Sequence, residues 1–396
     1  MKKVTRFILL KICSVLSIIN LILPKNEKNI LFFTNISCFN DNNRALFEYM
    51  LDNKLNEKFR LYYSTPDYKA NKVLNANNNV FYISPFAGIL IFLITKYCFY
   101  DAGTTKIRPS IHQNVISLWH GTPLKKVGRS VEKSIKNDRY NDFSKIVCTS
   151  SNLKSLFAES FECDIKDVIV TGYPRNDNLF DKTNYLNLLN VSIKKHIKKV
   201  IWMPTFRVSE NGRYRNCDVT FSNNETGLQL FEFDSDLCEL ENFLIQKNIF
   251  LCIKLHPLSF ANTINFKTYE NIRIINKKDM QNLNIQNYRL LSNFDSLITD
   301  YSSVFFDYLI LNRPIGFIID DIDQYQDNRG FSFNKPLDYM PGPKITKKDD
   351  FYNFLINISN NTDCYEEDRL RVMKLVNDFT DNNSSRRLLD FVGISK

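Results

Sequence analysis

Short apolar runs that do not alternate with polar residues constrain this chain more than any other feature. "NILFFTN", "FRLYYST", "QNVISLWH", "KIVCTSS" and "DVIVTGYP" follow one another through the first half. A strand with one wet face alternates. A run that is apolar at consecutive positions suits a strand covered on both faces. "NRALFEYML" reads as a helix, and "PFAGILIFLITKYCFYDAG" reads as a helix entering a further strand, with Lys96 and Asp101 cutting the run too short to span a membrane. Strands and helices in alternation predict a parallel sheet covered by helices.

The pattern breaks at residues 178–198 and restarts with "KVIWMPTF", "IFLCIKLHP", "NIRIIN", "SLITDYSS" and "PIGFIID", ending in a helix over "NSSRRLLDFV". A chain of 396 residues is long enough for two cores. The expected organisation is a membrane-associating helix over 1–24, one Rossmann-like domain over 25–185 and a second over 186–396. The two doubly wound domains are expected to face a cleft, with ligand at the carboxyl ends of the strands.

The net charge of +9 suits an anionic partner. Lys2, Lys3, Arg6, Lys11, Lys25 and Lys28 face only Glu27 within the first 28 residues. There the apolar stretch "RFILLKICSVLSIINLILPK" carries a narrow polar stripe of Lys11, Ser14, Ser17 and Asn20. Only twelve uncharged residues, Ile12 to Leu23, run from Lys11 to Pro24, against about 20 for a spanning helix. We expect an interfacial helix on an anionic membrane surface. The basic excess gathers at this apolar end, so no nucleic-acid partner is expected. Nine cysteines, none in CxxC spacing and several inside strands, read as reduced thiols. They offer no zinc site. "DSD" at 234–236 and "DDID" at 320–323 read as solvated loops rather than metal ligands.

The residues suited to chemistry sit where strands end. His120 follows "SLW" and opens the turn Gly121–Thr122–Pro123–Leu124, with Lys125 and Lys126 behind it. His256 ends "CIKLHP" after Lys254. An imidazole can take a proton from a hydroxyl near neutral pH. "DYSSVFFDY" puts Ser302 and Ser303 at a helix start and Asp307 one turn on. Such a start offers N–H groups to a diphosphate, and Asp307 could accept hydrogen bonds from ribose hydroxyls. Arg175 in "VTGYPRND", and Thr205 and Arg207 in "MPTFR", could hold phosphate. There is no Walker loop and no GxGxxG, which removes the ordinary NTPase and dinucleotide readings.

Together "LWHGTPLKK", "TGYPRND", "MPTFR", "KLHP", "ITDYSSVFFDYLILNRPIGF", "YQDNRGF", "PGP" and "SSRRLLDFV" resemble the CDP-glycerol:poly(glycerophosphate) glycerophosphotransferase family, the wall teichoic acid primases and polymerases. The resemblance runs over roughly residues 115–392. It implies a GT-B fold, a CDP-activated polyol donor such as CDP-glycerol, a lipid-linked saccharide acceptor and peripheral attachment at the cytoplasmic face of the cell membrane. Carried over, it places His120 and His256 as the two catalytic histidines. It places Gly121, Thr122, Pro123, Leu124, Arg175, Thr205, Phe206, Arg207, Lys254, Ser302, Ser303 and Asp307 around the donor, with no cofactor and no metal. Phe206 stands where the family usually has Trp. Polymerases of the family commonly carry an extra N-terminal domain, so the chain's length points to a primase-like or short-chain transferase. Rival expectations are another donor, CDP-ribitol or a nucleotide sugar, and a non-catalytic protein of the membrane surface.

Overall fold

The structure, a computed structural model, describes residues 2–34, 41–69, 78–101, 105–131, 139–189, 197–205, 225–256, 259, 261 and 264–394. Two compact units emerge. The first holds residues 1–121, 128–178 and 381–396, and the second holds 122–127 and 179–380.

In the first unit, β1 (Asn26–Phe33), β2 (Arg60–Ser64), β3 (Val80–Ile83), β4 (Thr95–Tyr100), β5 (Asn114–Ser117), β6 (Lys145–Cys148) and β7 (Val168–Val170) form one sheet in the order β3-β2-β1-β4-β5-β6-β7. Every pairing is parallel. Ile30 and Phe32 on β1, Leu61 and Tyr63 on β2, and Phe99 on β4 are buried in one core with Phe47 and Met50 of the helix Asp41–Asp52 (α2). The order runs 3-2-1-4, so the direction of winding reverses between β1 and β4, the place where such sheets bind ligands.

The second unit repeats this scheme. β8 (Lys198–Met203), β9 (Ile249–Lys254), β10 (Ile272–Ile275), β11 (Ser296–Thr299), β12 (Ile315–Ile318) and β13 (Lys344–Ile345) lie in the order β10-β9-β8-β11-β12-β13, again all parallel. β9 is buried at all of its positions, as its unbroken apolar run requires. Trp202 is wholly buried and packs edge-on to Phe231 and Phe351. Its reversal point lies between β8 and β11.

Three features depart from the sequence reading. The final helix, Ser384–Val392, folds with the first unit, where a single cut at 185/186 had assigned it to the second domain. Leu388, Leu389 and Val392 enter the first core, and Asp177 accepts hydrogen bonds from the N–H groups of Ser384 at 2.8 Å and Ser385 at 2.9 Å. The acidic runs are not loops but helix starts. Asp234 and Asp236 fill the first turn of the helix Asp234–Lys247, and Asp323 that of the helix Ile322–Asn328, where carboxylates meet unpaired N–H groups. Among the described residues no group of three or more His, Cys, Asp or Glu stands close enough to hold a metal ion. The described cysteines are free thiols.

The N-terminal helix, Lys2–Ile22 (α1), turns Ser17 and Asn20 of its polar stripe inward and leaves Lys11 and Ser14 exposed. Ser17 Oγ accepts the Arg108 N–H at 3.0 Å. Asn20 Nδ2 donates to the Arg108 carbonyl at 2.9 Å and to Gln113 Oε1 at 2.7 Å. Ile12, Val15, Ile18, Leu21 and Ile22 are left exposed, Ile22 at 78%. The helix Pro85–Ile94 (α3) packs beside α1 and exposes Phe86 at 73% and Leu90 at 52%. No described helix is long and apolar enough to cross a membrane.

Asp177 caps the last helix from far away in sequence, and loss of a cap costs about 1 kcal/mol. Asp177→Ala should lower stability by that amount and shorten hydrogen-exchange protection at residues 387–389. Unchanged exchange there would show that the helix holds without its cap.

Candidate functional site

In the first unit the site is built on the turn after β5. The Leu118 N–H still bonds to the Tyr100 carbonyl at 2.8 Å, continuing the ladder one residue past the strand. Trp119 then turns to φ +54°, a conformation a bulky residue rarely adopts, and Gly121 to φ +129°, which favours glycine. Asn42, near the start of α2, holds this turn. Its Nδ2 donates to the Trp119 carbonyl at 2.9 Å, while its Oδ1 accepts the Arg175 N–H at 3.1 Å. One buried amide therefore fixes both the His120 turn and the "GYPR" turn. The Trp119 ring lies against His120, centroids 3.9 Å apart, and meets Phe161 edge-on.

Arg175 is buried, and its Nη1 pairs with Asp41 Oδ1 at 2.6 Å. Its guanidinium also lies 5.3 Å from the centre of the Tyr173 ring. The phosphate-holding residue of the sequence reading is thus engaged in an ion pair beside His120. Behind that pair, Asp101 at the end of β4 accepts the Asn43 N–H with both oxygens, at 2.9 and 3.0 Å. His120 keeps an exposed edge, yet loss of water around the ring pushes its pKa down to about 4. Asp41 opposes this shift and Arg175 adds to it. The imidazole is neutral at pH 7, the form that can accept a proton.

The chain passes into the second unit between Gly121 and Thr122. Thr122, Pro123 and Leu124 are buried there. Residues 124–126 pair with "RGFS": the Lys126 N–H bonds to the Gly330 carbonyl at 3.2 Å, and the Ser332 N–H to the Leu124 carbonyl at 2.8 Å. This seats Lys125 with its Nζ 5.5 Å from the centre of the Tyr325 ring. Tyr325 in turn packs on Tyr301 of "DYSS".

His256 lies just past β9, half-buried, and its pKa is pushed down to about 3. Burial is the first cause. The charges of Lys254 and Lys125 add to it, and Asp300 opposes it. So His256, Lys254, Lys125 and Asp300 share one neighbourhood at the carboxyl ends of β9 and β11. Across the reversal point, Asp300 Oδ2 accepts the Thr205 N–H at 2.8 Å and the Thr205 hydroxyl at 2.7 Å, tying the end of β8 to the end of β11. The site thus offers a neutral imidazole and two ammonium groups to an anion.

Ser303 is the N-cap residue of the helix Val304–Tyr308, with Ser302 before it, and its side chain makes no cap hydrogen bond. A helix of one turn carries little dipole, so its contribution is its N–H groups rather than its macrodipole. Asp307 is fully buried and accepts the Tyr288 hydroxyl at 2.5 Å. A ribose contact there requires Tyr288 to share that carboxylate. Phe206 and Arg207 lie outside the described residues. Sequence reading missed Asp41, Asn42, Asp101, Asp300 and Tyr288. Asp101 and Asp300 had a signal, being carboxylates at the first position after an apolar strand.

The low pKa of His256 has a consequence for stability. The unfolded chain protonates this imidazole near 6.5 and the folded chain near 3, so between these values the unfolded state holds more protons. Stability contributed by His256 is complete above pH 6.5 and falls as pH drops toward 3. Urea midpoints at pH 7 and pH 5 should therefore differ more in the native protein than in His256→Gln. Equal losses in the two would contradict the buried neutral imidazole.

The family described as CDP-Glycerol:Poly(glycerophosphate) glycerophosphotransferase matches residues 15–393. The chain is 31% identical over 387 residues to a teichoic acid poly(glycerol phosphate) polymerase of Bacillus spizizenii, covering 92% of this chain and 91% of that protein. It is 29% identical over 297 residues to a teichoic acid ribitol-phosphate primase of the same species, covering 70% and 68%. The solved structure of the wall teichoic acid polymerase TagF superposes with a TM-score of 0.74 at 23% identity over 99% of this chain and 94% of that one, which shows a shared GT-B fold. The chain accordingly belongs to the CDP-glycerol:poly(glycerophosphate) glycerophosphotransferase family, the transferases of teichoic acid synthesis.

Proposed function

We propose that the protein transfers glycerol phosphate from CDP-glycerol to a hydroxyl of a lipid-linked acceptor at an anionic membrane surface. The observation that carries this reading is the pair of neutral strand-end histidines, each set among the charges of its own unit. The acceptor oxygen attacks the β-phosphorus, the bond from that phosphorus to the bridging oxygen breaks, and CMP leaves with the electron pair. His120 takes the hydroxyl proton. Its low pKa in the free protein makes it a weak base, and the incoming diphosphate, an anion, raises its basicity where it is needed. Lys254, Lys125 and His256 stabilise the charge that grows on the leaving phosphate. Ser302, Ser303 and Thr205 hold the donor. Family membership, together with a polymerase named for glycerol phosphate as a relative over nine-tenths of the chain, supports CDP-glycerol. The ribitol-phosphate primase keeps CDP-ribitol as the second reading.

The membrane reading rests on α1 and α3. A helix that turns Ser17 and Asn20 to the protein and Ile12, Val15, Ile18 and Ile22 to the outside presents an apolar face without a described partner. Lipid supplies that partner, and the basic residues around it match an anionic headgroup layer.

Purified protein given CDP-glycerol or CDP-ribitol with a lipid-linked acceptor should release CMP with one of them, and mass spectrometry should find the matching polyol phosphate on the acceptor. His120→Ala and His256→Ala should each lower turnover by ~10²–10⁴ while keeping the native melting profile. Near-normal turnover in both would remove the proposed chemistry. Ile18→Glu with Phe86→Glu should stop the protein from floating with anionic vesicles; persistent flotation would place the attachment elsewhere.

A further inference from the structure

The first unit contains a cavity of about 610 Å³. Cys13 of α1 and Ile89 of α3 line one part of it, and Trp119 and Phe161 another. It is thus walled both by the two helices whose outer faces are exposed apolar surface and by the ring stacked on His120. Its size suits a small organic ligand, and mostly apolar walls with a few charged groups are what such sites present.

The charged groups are unevenly matched. Lys106 Nζ lies 3.5 Å and Arg139 Nη2 2.8 Å from the same buried carboxylate, Asp142, so two cations share one anion. The two are held together by their backbones: Lys106 Nζ donates to the Arg139 carbonyl at 3.0 Å, and Arg139 Nη2 to the Lys106 carbonyl at 2.9 Å. The other acid of the lining, Asp101, is pushed toward its neutral form, first by burial and then by Asp41, with the Asn43 N–H and Arg175 opposing. Lys106 and Arg139 thus place two cationic groups on mostly apolar walls, and that combination suits an amphipathic anion.

We propose that this cavity is the acceptor subsite and that it takes a phosphate-bearing amphiphile. The apolar portion lies along Cys13, Ile89 and Phe161, the phosphate faces Lys106 and Arg139, and the free hydroxyl reaches past Trp119 to His120. This deepens the transferase reading and rests on it. Trp119 has a dual position in the proposal, since the ring that bounds the occupant also sets the imidazole that takes its proton.

The test uses the purified full chain and three probes in titration calorimetry: the octyl ester of glycerol 1-phosphate, octyl glycerol ether and free glycerol 1-phosphate. The phosphate ester should bind at least tenfold more tightly than either partial probe. Ile89→Trp, which fills the cavity, should weaken the ester at least tenfold. Arg139→Gln, at a partly exposed position, should weaken the ester but not the ether, and it carries the test if Ile89→Trp does not fold. CDP-glycerol affinity should be the same in the native protein and both variants. Equal binding of ester and ether, or ester affinity unchanged by Arg139→Gln, would overturn the proposal. A native protein that binds neither CDP-glycerol nor CDP-ribitol yet binds the ester in this pattern would remove the transferase reading and leave the cavity's ligand class standing.

Discussion

Parallel pairing is the constraint on which the rest of this structure depends. Every strand pair in both sheets is parallel, so within each unit all strands end at the same edge. Evenly slanted ladder bonds cannot be closed by tight hairpins, and each return runs through a crossover. The residues that follow the strands gather at that edge. His120 follows β5, Asp101 follows β4, His256 follows β9, Thr205 follows β8 and Asp300 follows β11. Residues far apart in sequence meet there because the strand order places β1 beside β4 and β8 beside β11.

The two units solve the same electrostatic problem differently. Each lowers the pKa of an imidazole, the second unit at the half-buried His256 and the first at the more exposed His120. In the first unit the neighbouring charges are a matched pair, Asp41 and Arg175, so the local field is nearly balanced. In the second, Lys254 and Lys125 outweigh Asp300, and the field favours an anion. A balanced site suits proton transfer from a neutral hydroxyl. A cationic site suits a diphosphate.

The strands were legible because burial on both faces writes itself as consecutive apolar residues, as in β9, and the two histidines because they ended such runs. Asn42 was not legible. It sits in "NDNNR", one asparagine among several, and its importance comes from carbonyl and amide partners 77 and 133 positions away. The inward turn of Ser17 and Asn20 was hidden for the same reason: a polar stripe looks alike whether it faces water or the backbone of residues 108–113. The placement of Ser384–Val392 depended on Asp177, more than 200 residues upstream. Periodicity is local, and each of these outcomes is decided by a long-range partner.

The central claim is that both strand-end imidazoles, the exposed His120 as well as the half-buried His256, titrate below the ordinary histidine range. Long-range ¹⁵N–¹H spectra of histidine-labelled protein, taken as pH is lowered and assigned with His120→Gln and His256→Gln, test it directly. The account predicts that both rings remain neutral at pH 5.5, well below the ordinary midpoint, until the protein itself unfolds. Protonation of either ring with a midpoint near 6.5 in the folded protein would contradict it.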